Sequence, residues 1–298
     1  MTTRGRRTAQ RVLALALGVA AIAAGARDHP VDAPPELSAT QIVTRNAAAR
    51  GGLEAWRGVR TMVWTGHLES AHAPMPSMPF ILEQKRPNKT RFELDAVREK
   101  TLRVFDGLQG WKVHSGRDGR PETLAFTPVE LGFAQHAQGL DGPLIDAELK
   151  GNRVALEGTD MMAGGAAYRL LVQLPSGERD RVWVDARTFL DLRVDRMPAS
   201  AGTPVSVFYR DYKTVDGLQI PTTIETGNGA AQTPDRLVIE RISLNPNLDD
   251  RLFGRPDLQA RGPRQPGLGV DGTADRMRRP VSAPAPNASA PGDDASAR

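Results

Sequence analysis

The sequence predicts a mainly β protein, a curved antiparallel sheet of about eleven strands accompanied by a few short helices. Three observations predict it. From Val59 onward, apolar residues recur with a period of two for most of the chain. Two-residue turn signals separate these runs at hairpin spacing: Asp106-Gly107, Asp118-Gly119, Ser176-Gly177 and Asp216-Gly217. Helical patterning is confined to two stretches, near residues 38–56 and 128–150.

The elements follow in chain order. Arg4, Arg6, Arg7 and Arg11 precede an uncharged run from Val12 to Ala26 that closes with Ala24-Gly25-Ala26, the pattern of a secretory signal peptide cleaved after Ala26. A bilayer span needs roughly 20 apolar residues, more than this run supplies, so an exported and untethered protein is expected. Arg6-Arg7 lacks the continuation of a twin-arginine signal and reads as an ordinary basic leader. After a short leader (27–37), Ser38 is placed to cap a helix carrying Ile42, Val43 and Ala47 on one face, and Gly51-Gly52 stops it. A second short turn runs from Leu53 to Trp56.

The strand runs are Met62-Leu68, Phe80-Leu82, Phe92-Leu94, Leu102-Val104, Trp111-Val113, Val154-Leu156, Tyr168-Leu174, Val182-Val184, Leu190-Val194, Val205-Tyr209 and Leu218-Ile224. In the cleanest of them, Asp191, Arg193 and Asp195 interleave the apolar set, which predicts an outward polar face. One interruption, Pro128 to Lys150, offers more helix: Pro128 suits a first helical position, and Gly139 and Gly142-Pro143 break the segment in two. So few short helices leave part of the sheet's inner side uncovered, and an apolar hollow there is the physical form of a lipid pocket. Its expected lining is Trp64, Leu82, Phe92, Leu94, Leu102, Val104, Leu170, Leu190 and Leu192, with Met75 and Met78 as an adaptable lip at its mouth.

Residues 254–298 contain 13 Pro or Gly and no aromatic residue, a composition that predicts a disordered tail. Charge is concentrated at the two ends. Four arginines precede the signal run and seven lie in the tail, so residues 27–253 hold 28 basic and 30 acidic groups, which excludes a polyanion-binding body. The chain has no Cys, so disulfides, thiolate metal sites, thiol catalysis and a lipidated N-terminal cysteine are excluded.

Nucleophile elbows, phosphate loops, zinc-helix motifs and calcium loops do not occur. His29, His67, His72, His114 and His136 show no ligand spacing, so no metal or other cofactor is expected. The carboxylate pairs Asp95-Glu99, Asp180-Asp185 and Asp191-Asp195 alternate with arginine and read as a solvated ion-pair face. These readings predict a protein that is not an enzyme.

Several short motifs carry a family resemblance: Gly51-Gly52-Leu53-Glu54-Ala55-Trp56, Arg86-Pro87-Asn88-Lys89-Thr90-Arg91-Phe92-Glu93, Asp106-Gly107-Leu108-Gln109-Gly110-Trp111, Leu140-Asp141-Gly142-Pro143-Leu144, the run from Tyr209 to Pro221, and Asn245-Pro246-Asn247-Leu248-Asp249-Asp250-Arg251-Leu252-Phe253. In this order the chain from 38 to 253 resembles the outer-membrane lipoprotein-sorting family of LolA-like periplasmic carriers. The resemblance implies an incomplete β-barrel closed by helices around a cavity for acyl chains. It also implies a monomeric periplasmic chaperone in transport and outer membrane biogenesis, taking up lipid or a lipidated protein and meeting a membrane-associated donor or acceptor. A periplasmic sensor domain and an envelope hydrolase remain as alternatives, because fold does not dictate ligand.

Overall fold

The computed structural model describes residues 36–71, 76–96, 99–115, 119–137, 139–162, 165–197, 204–228 and 235–258. The predicted signal peptide, Met75 and residues 259–298 of the predicted tail lie outside the described residues.

The chain opens with α1 (Ala39–Ala49), started by a reciprocal cap in which the Ser38 hydroxyl accepts from the Gln41 amide and the Gln41 side chain accepts from the Ser38 amide. The short α2 (Leu53–Gly58) follows. Six strands come next: β1 (Thr61–Glu69), β2 (Ser77–Lys85), β3 (Lys89–Ala96), β4 (Glu99–Phe105), β5 (Gly110–Ser115) and β6 (Pro121–Ala125). Helix α3 (Pro128–His136) starts with Pro128 behind a Thr127–Glu130 capping box. Residues 139–151 then form a series of turns. Seven more strands complete the sheet: β7 (Arg153–Met162), β8 (Gly165–Gln173), β9 (Arg179–Asp185), β10 (Asp191–Met197), β11 (Val205–Val215), β12 (Leu218–Asn228) and β13 (Asp235–Leu244). A 3-10 turn (Asp250–Phe253) follows β13.

All thirteen strands join one antiparallel sheet in the order β6-β5-β4-β3-β2-β1-β13-β12-β11-β10-β9-β8-β7. The expected eleven strands are corrected to thirteen. β6 is a short, exposed edge strand that begins at Pro121, and Pro is confined to such positions. β13 is obscured in the sequence by the run Leu237-Val238-Ile239, because a register shift opposite Thr65/Gly66 breaks its alternation. The sheet does not close into a barrel: β6 and β7 are unpaired edges at opposite ends of the strand order.

The sheet nevertheless curls strongly, and α3 measures the curl. At its start Glu130 bonds Arg103 on β4 and Lys112 on β5; at its end His136 bonds Asp180 on β9. Six helical residues advance roughly 9 Å, whereas β4 and β9 are eight places apart in the sheet, about 38 Å if it were flat. Only a sheet rolled toward α3 brings both within reach.

The inner face holds three apolar clusters. Under α1, Ile42 packs with Leu144, Tyr168, Leu170, Val172, Val182, Val184 and Val194. Next to it, Ala47, Trp56, Leu140 and Ile145 cover Met62, Leu218 and Ile220. The third cluster contains strand residues alone and is described below. On the outer face, Leu248, Leu252, Phe253 and Leu258 of the C-terminal segment cover Leu102, Val104, Trp111 and Val113. Part of the predicted tail, residues 254–258, therefore lies against the sheet, where the Pro256 carbonyl accepts from the Thr123 hydroxyl.

Candidate functional site

The candidate site is the part of the inner face that α1, α2 and the 139–151 turns leave open; α3 crosses this face, tied to Arg103 and Lys112 at its start and to Asp180 at its end. Cross-strand register aligns Ile242, Trp64, Leu82 and Phe92 in one row, and Phe80 with Leu94 in the next. These rows meet Val205, Val207 and Tyr209 on β11, Ile224 on β12 and Leu237 and Ile239 on β13 in one cluster. Phe80, Val207, Ile224 and Ile239 are buried, while Trp64, Leu82, Phe92, Leu94 and Tyr209 keep part of their surface accessible. The Phe80 and Phe92 rings stack with centroids 5.8 Å apart, and the Trp64 indole N–H points to the Met62 sulfur at 2.8 Å.

Among the described residues, no helical residue belongs to this cluster. The reason is positional. α1, α2 and the 139–151 turns cover the end of the sheet where β1 begins and where β11 turns into β12. The β1–β2, β3–β4, β10–β11 and β12–β13 connections leave from the opposite end. One end of the inner face is thus covered by these helices and turns, and the apolar cluster beyond it is built by strand residues.

A buried polar latch holds the plug. Arg50, which ends α1, pairs with Asp191 of β10 at 3.1 Å, stacks on Trp56 and donates to the Asp141 carbonyl. Asn46 donates to Asp191 and to the Phe189 carbonyl. The Asp141 carboxylate in turn receives Arg86 and Lys150, each at 2.6 Å. Burial raises the Asp191 pKa, opposed by the Arg50 charge and the Asn46 hydrogen bond. Burial likewise lowers the Lys150 pKa against the pull of Asp141. Removing one member of such a pair strands the other, which typically costs about 3–5 kcal/mol.

This latch overturns the expected polar face of β10. Asp191 turns inward because the ladder to β9 shifts register between Asp191 and Arg193, so the simple alternation fails there. Asp180 is also interior, a register partner of Val172. Arg193 does face outward, stacked on Trp183 and Phe208 and paired with Asp195.

Of the predicted lining residues, the structure brings Trp64, Leu82, Phe92 and Leu94 together. Leu170 lies on the same face but is sealed under α1. Leu102 and Val104 are corrected to the outer face: Phe92 is opposite Arg103, so Leu102 and Val104 point away from it and sit under Phe253. Leu192 lies within the register shift, Leu190 precedes β10, and neither belongs to the apolar clusters. Met78 is not a loop residue; it is a buried residue of β2 opposite Leu68. Val205, Val207, Tyr209 and Ile224 complete the wall from runs whose alternation was visible in the sequence, whereas Leu237, Ile239 and Ile242 come from the strand that the bulge concealed. A separate cleft of about 500 Å³, lined by Gly58, Arg60, Thr61, Lys85 and residues 245–248, lies outside this cluster. Among the described residues, no group of three His, Asp or Glu side chains is placed to hold a metal ion.

No protein-family model and no curated protein matches the chain. Among solved structures it is similar to an outer membrane lipoprotein-sorting protein domain from Vibrio parahaemolyticus, with TM-score 0.47 and 12% identity over 72% of this chain and 94% of that one. The likeness is one of fold. It is similar also to a LolA superfamily protein from Nitrosomonas europaea, with TM-score 0.47 and 12% identity over 74% and 99% of the two chains. A DUF1329 family protein from Desulfovibrio piger gives TM-score 0.48 and 12% identity over 72% and 97%.

Proposed function

We propose that this protein is a periplasmic carrier that holds the acyl chains of lipid or lipidated cargo in the strand-walled hollow. One observation carries the reading: twelve apolar side chains from six neighbouring strands share a cluster to which no helix contributes, and several keep accessible surface. Apolar surface left open in a folded domain is where an apolar ligand gains most, at roughly 0.8 kcal/mol per buried methylene. The ligand class is also the one implied by the sequence motifs from Gly51 to Phe253.

Phe92 is the residue to test, since it stacks on Phe80 and remains partly accessible. Phe92→Glu is expected to melt close to the parent, because its carboxylate keeps some water, and to lose at least about tenfold in affinity for an apolar dye. Adjacent Glu93→Gln, on the outer face with Arg91 and Lys100, should leave dye binding unchanged. A folded Phe92→Glu that binds dye as the parent does would overturn the proposal.

A further inference from the structure

Arg196 gives the hollow a charged rim. It lies on β10 with Val205, a member of the apolar cluster, directly opposite on β11. Opposed residues of an antiparallel pair project from the same face, so the guanidinium stem starts on the inner side of the sheet beside the hollow. Its position, one residue before the end of β10, places it where the β10–β11 connection leaves the sheet, away from α1 and α2 and beside the last residue of α3, His136, on Asp180.

Five other cations near this face are engaged. Arg103 and Lys112 both bind Glu130, which they hold ionised down to about pH 2 together with the Thr127 amide. Arg50, Arg86 and Lys150 are consumed by Asp191 and Asp141. Arg196 differs: among the described residues it makes no ion pair and no hydrogen bond, although it is only partly exposed. Its register partner on the other side, Asp180, is already taken by His136 at 2.5 Å, and Glu178 closes on the second nitrogen of the same ring at 3.2 Å. An arginine at the rim of an apolar cluster with no carboxylate in ion-pair contact matches an amphiphile whose tail is greasy and whose head is anionic. The planar guanidinium fork fits a carboxylate with two parallel hydrogen bonds.

We propose that Arg196 is the headgroup anchor of the hollow and that the ligand it selects is a long-chain fatty acid, with the alkyl tail along Phe92, Leu82 and Ile224 and the carboxylate on the guanidinium. The inference rests on the hollow being a lipid site. It adds a preference for a free acid over an ester, which burial of the tail alone does not provide.

The test is displacement of an apolar dye from the full protein by dodecanoate, methyl dodecanoate and dodecyl phosphate, repeated with Arg196→Gln and Arg196→Lys. The parent should bind the acid at least about tenfold more tightly than the ester, as expected for a charge-assisted bidentate contact. Arg196→Gln should abolish that preference while binding the ester as the parent does, and Arg196→Lys should retain part of it. Equal binding of acid and ester by the parent would overturn the anchor and leave the hollow standing; that is the result if Arg196 serves only as a distant counter-charge to Glu178. Tighter binding of dodecyl phosphate than of dodecanoate would overturn the carboxylate assignment. Failure of all three to displace the dye would overturn the lipid hollow itself.

Discussion

His136 is held inside the protein between two carboxylates, and this gives a stability term with a definite sign. Burial disfavours its charged form, but the hydrogen bond to Asp180 and the charges of Asp180 and Glu178 outweigh burial and the opposing Arg196, so its pKa is raised. A group whose native pKa lies above its unfolded value stabilises fully below the unfolded value, about 6.5 for histidine, and the contribution fades as pH rises through the native value. The melting temperature of the parent should therefore exceed that of His136→Gln by most below the unfolded value, and the gap should narrow as pH rises above it. A gap independent of pH would show that the ring contributes packing alone. Neither His136 nor Asp180 was legible as interior: a histidine near a helix end and an aspartate between arginines are ordinary surface residues until the rolled sheet brings α3 onto β9.

At the scale of elements, the β1–β13 pair depends on one missing side chain. Gly66 sits at the register shift, and a Cβ there would lie 1.9 Å from the Val238 carbonyl oxygen, which is backbone and cannot swing aside. Gly66→Ala should cost at least about 1–3 kcal/mol in a denaturant titration. Gly132→Ala in α3, where a Cβ meets nothing within 4 Å, should instead stabilise by about 0.5–1 kcal/mol through helix propensity. A Gly66→Ala protein as stable as the parent would mean that the bulge is not the fixed feature described here. Caps and turns were legible at this scale because their chemistry is local: Ser38 and Thr127 bond within three residues, and Asp216-Gly217 has the two positive φ values, 46° and 83°, that a tight hairpin needs.

At the scale of the whole molecule, both faces of the sheet are in use. Helices plug one end of the inner face, and the C-terminal segment from Leu248 to Leu258 crosses the outer face of β4 and β5. Phe253 is fully buried there, the largest anchor of that segment. Phe253→Ala should cost about 3–5 kcal/mol and release the segment, seen as faster amide exchange on the outer-face strands β4 and β5. Apolar dye binding in the hollow should persist at temperatures where the variant stays folded, since the two clusters are on opposite sides of the sheet. Loss of dye binding in the folded variant would show that the outer cover and the hollow are coupled.

The sequence by itself determined the β class, the hairpin spacing and the helix starts, because all of these follow from period-two alternation and from chemistry within a few residues. Tertiary structure alone decided which face each run presents. Alternation says that Leu102 and Val104 share a side, not that it is the side opposite Phe92; that depends on the register between β3 and β4, where Phe92 meets Arg103. The same holds for Asp191, carried inward by a register shift, and for Arg196, whose freedom rests on His136 arriving from a helix 60 residues earlier to occupy Asp180. A two-residue period is blind to such relations, since it is unchanged when a whole strand slips by one residue and exchanges its faces.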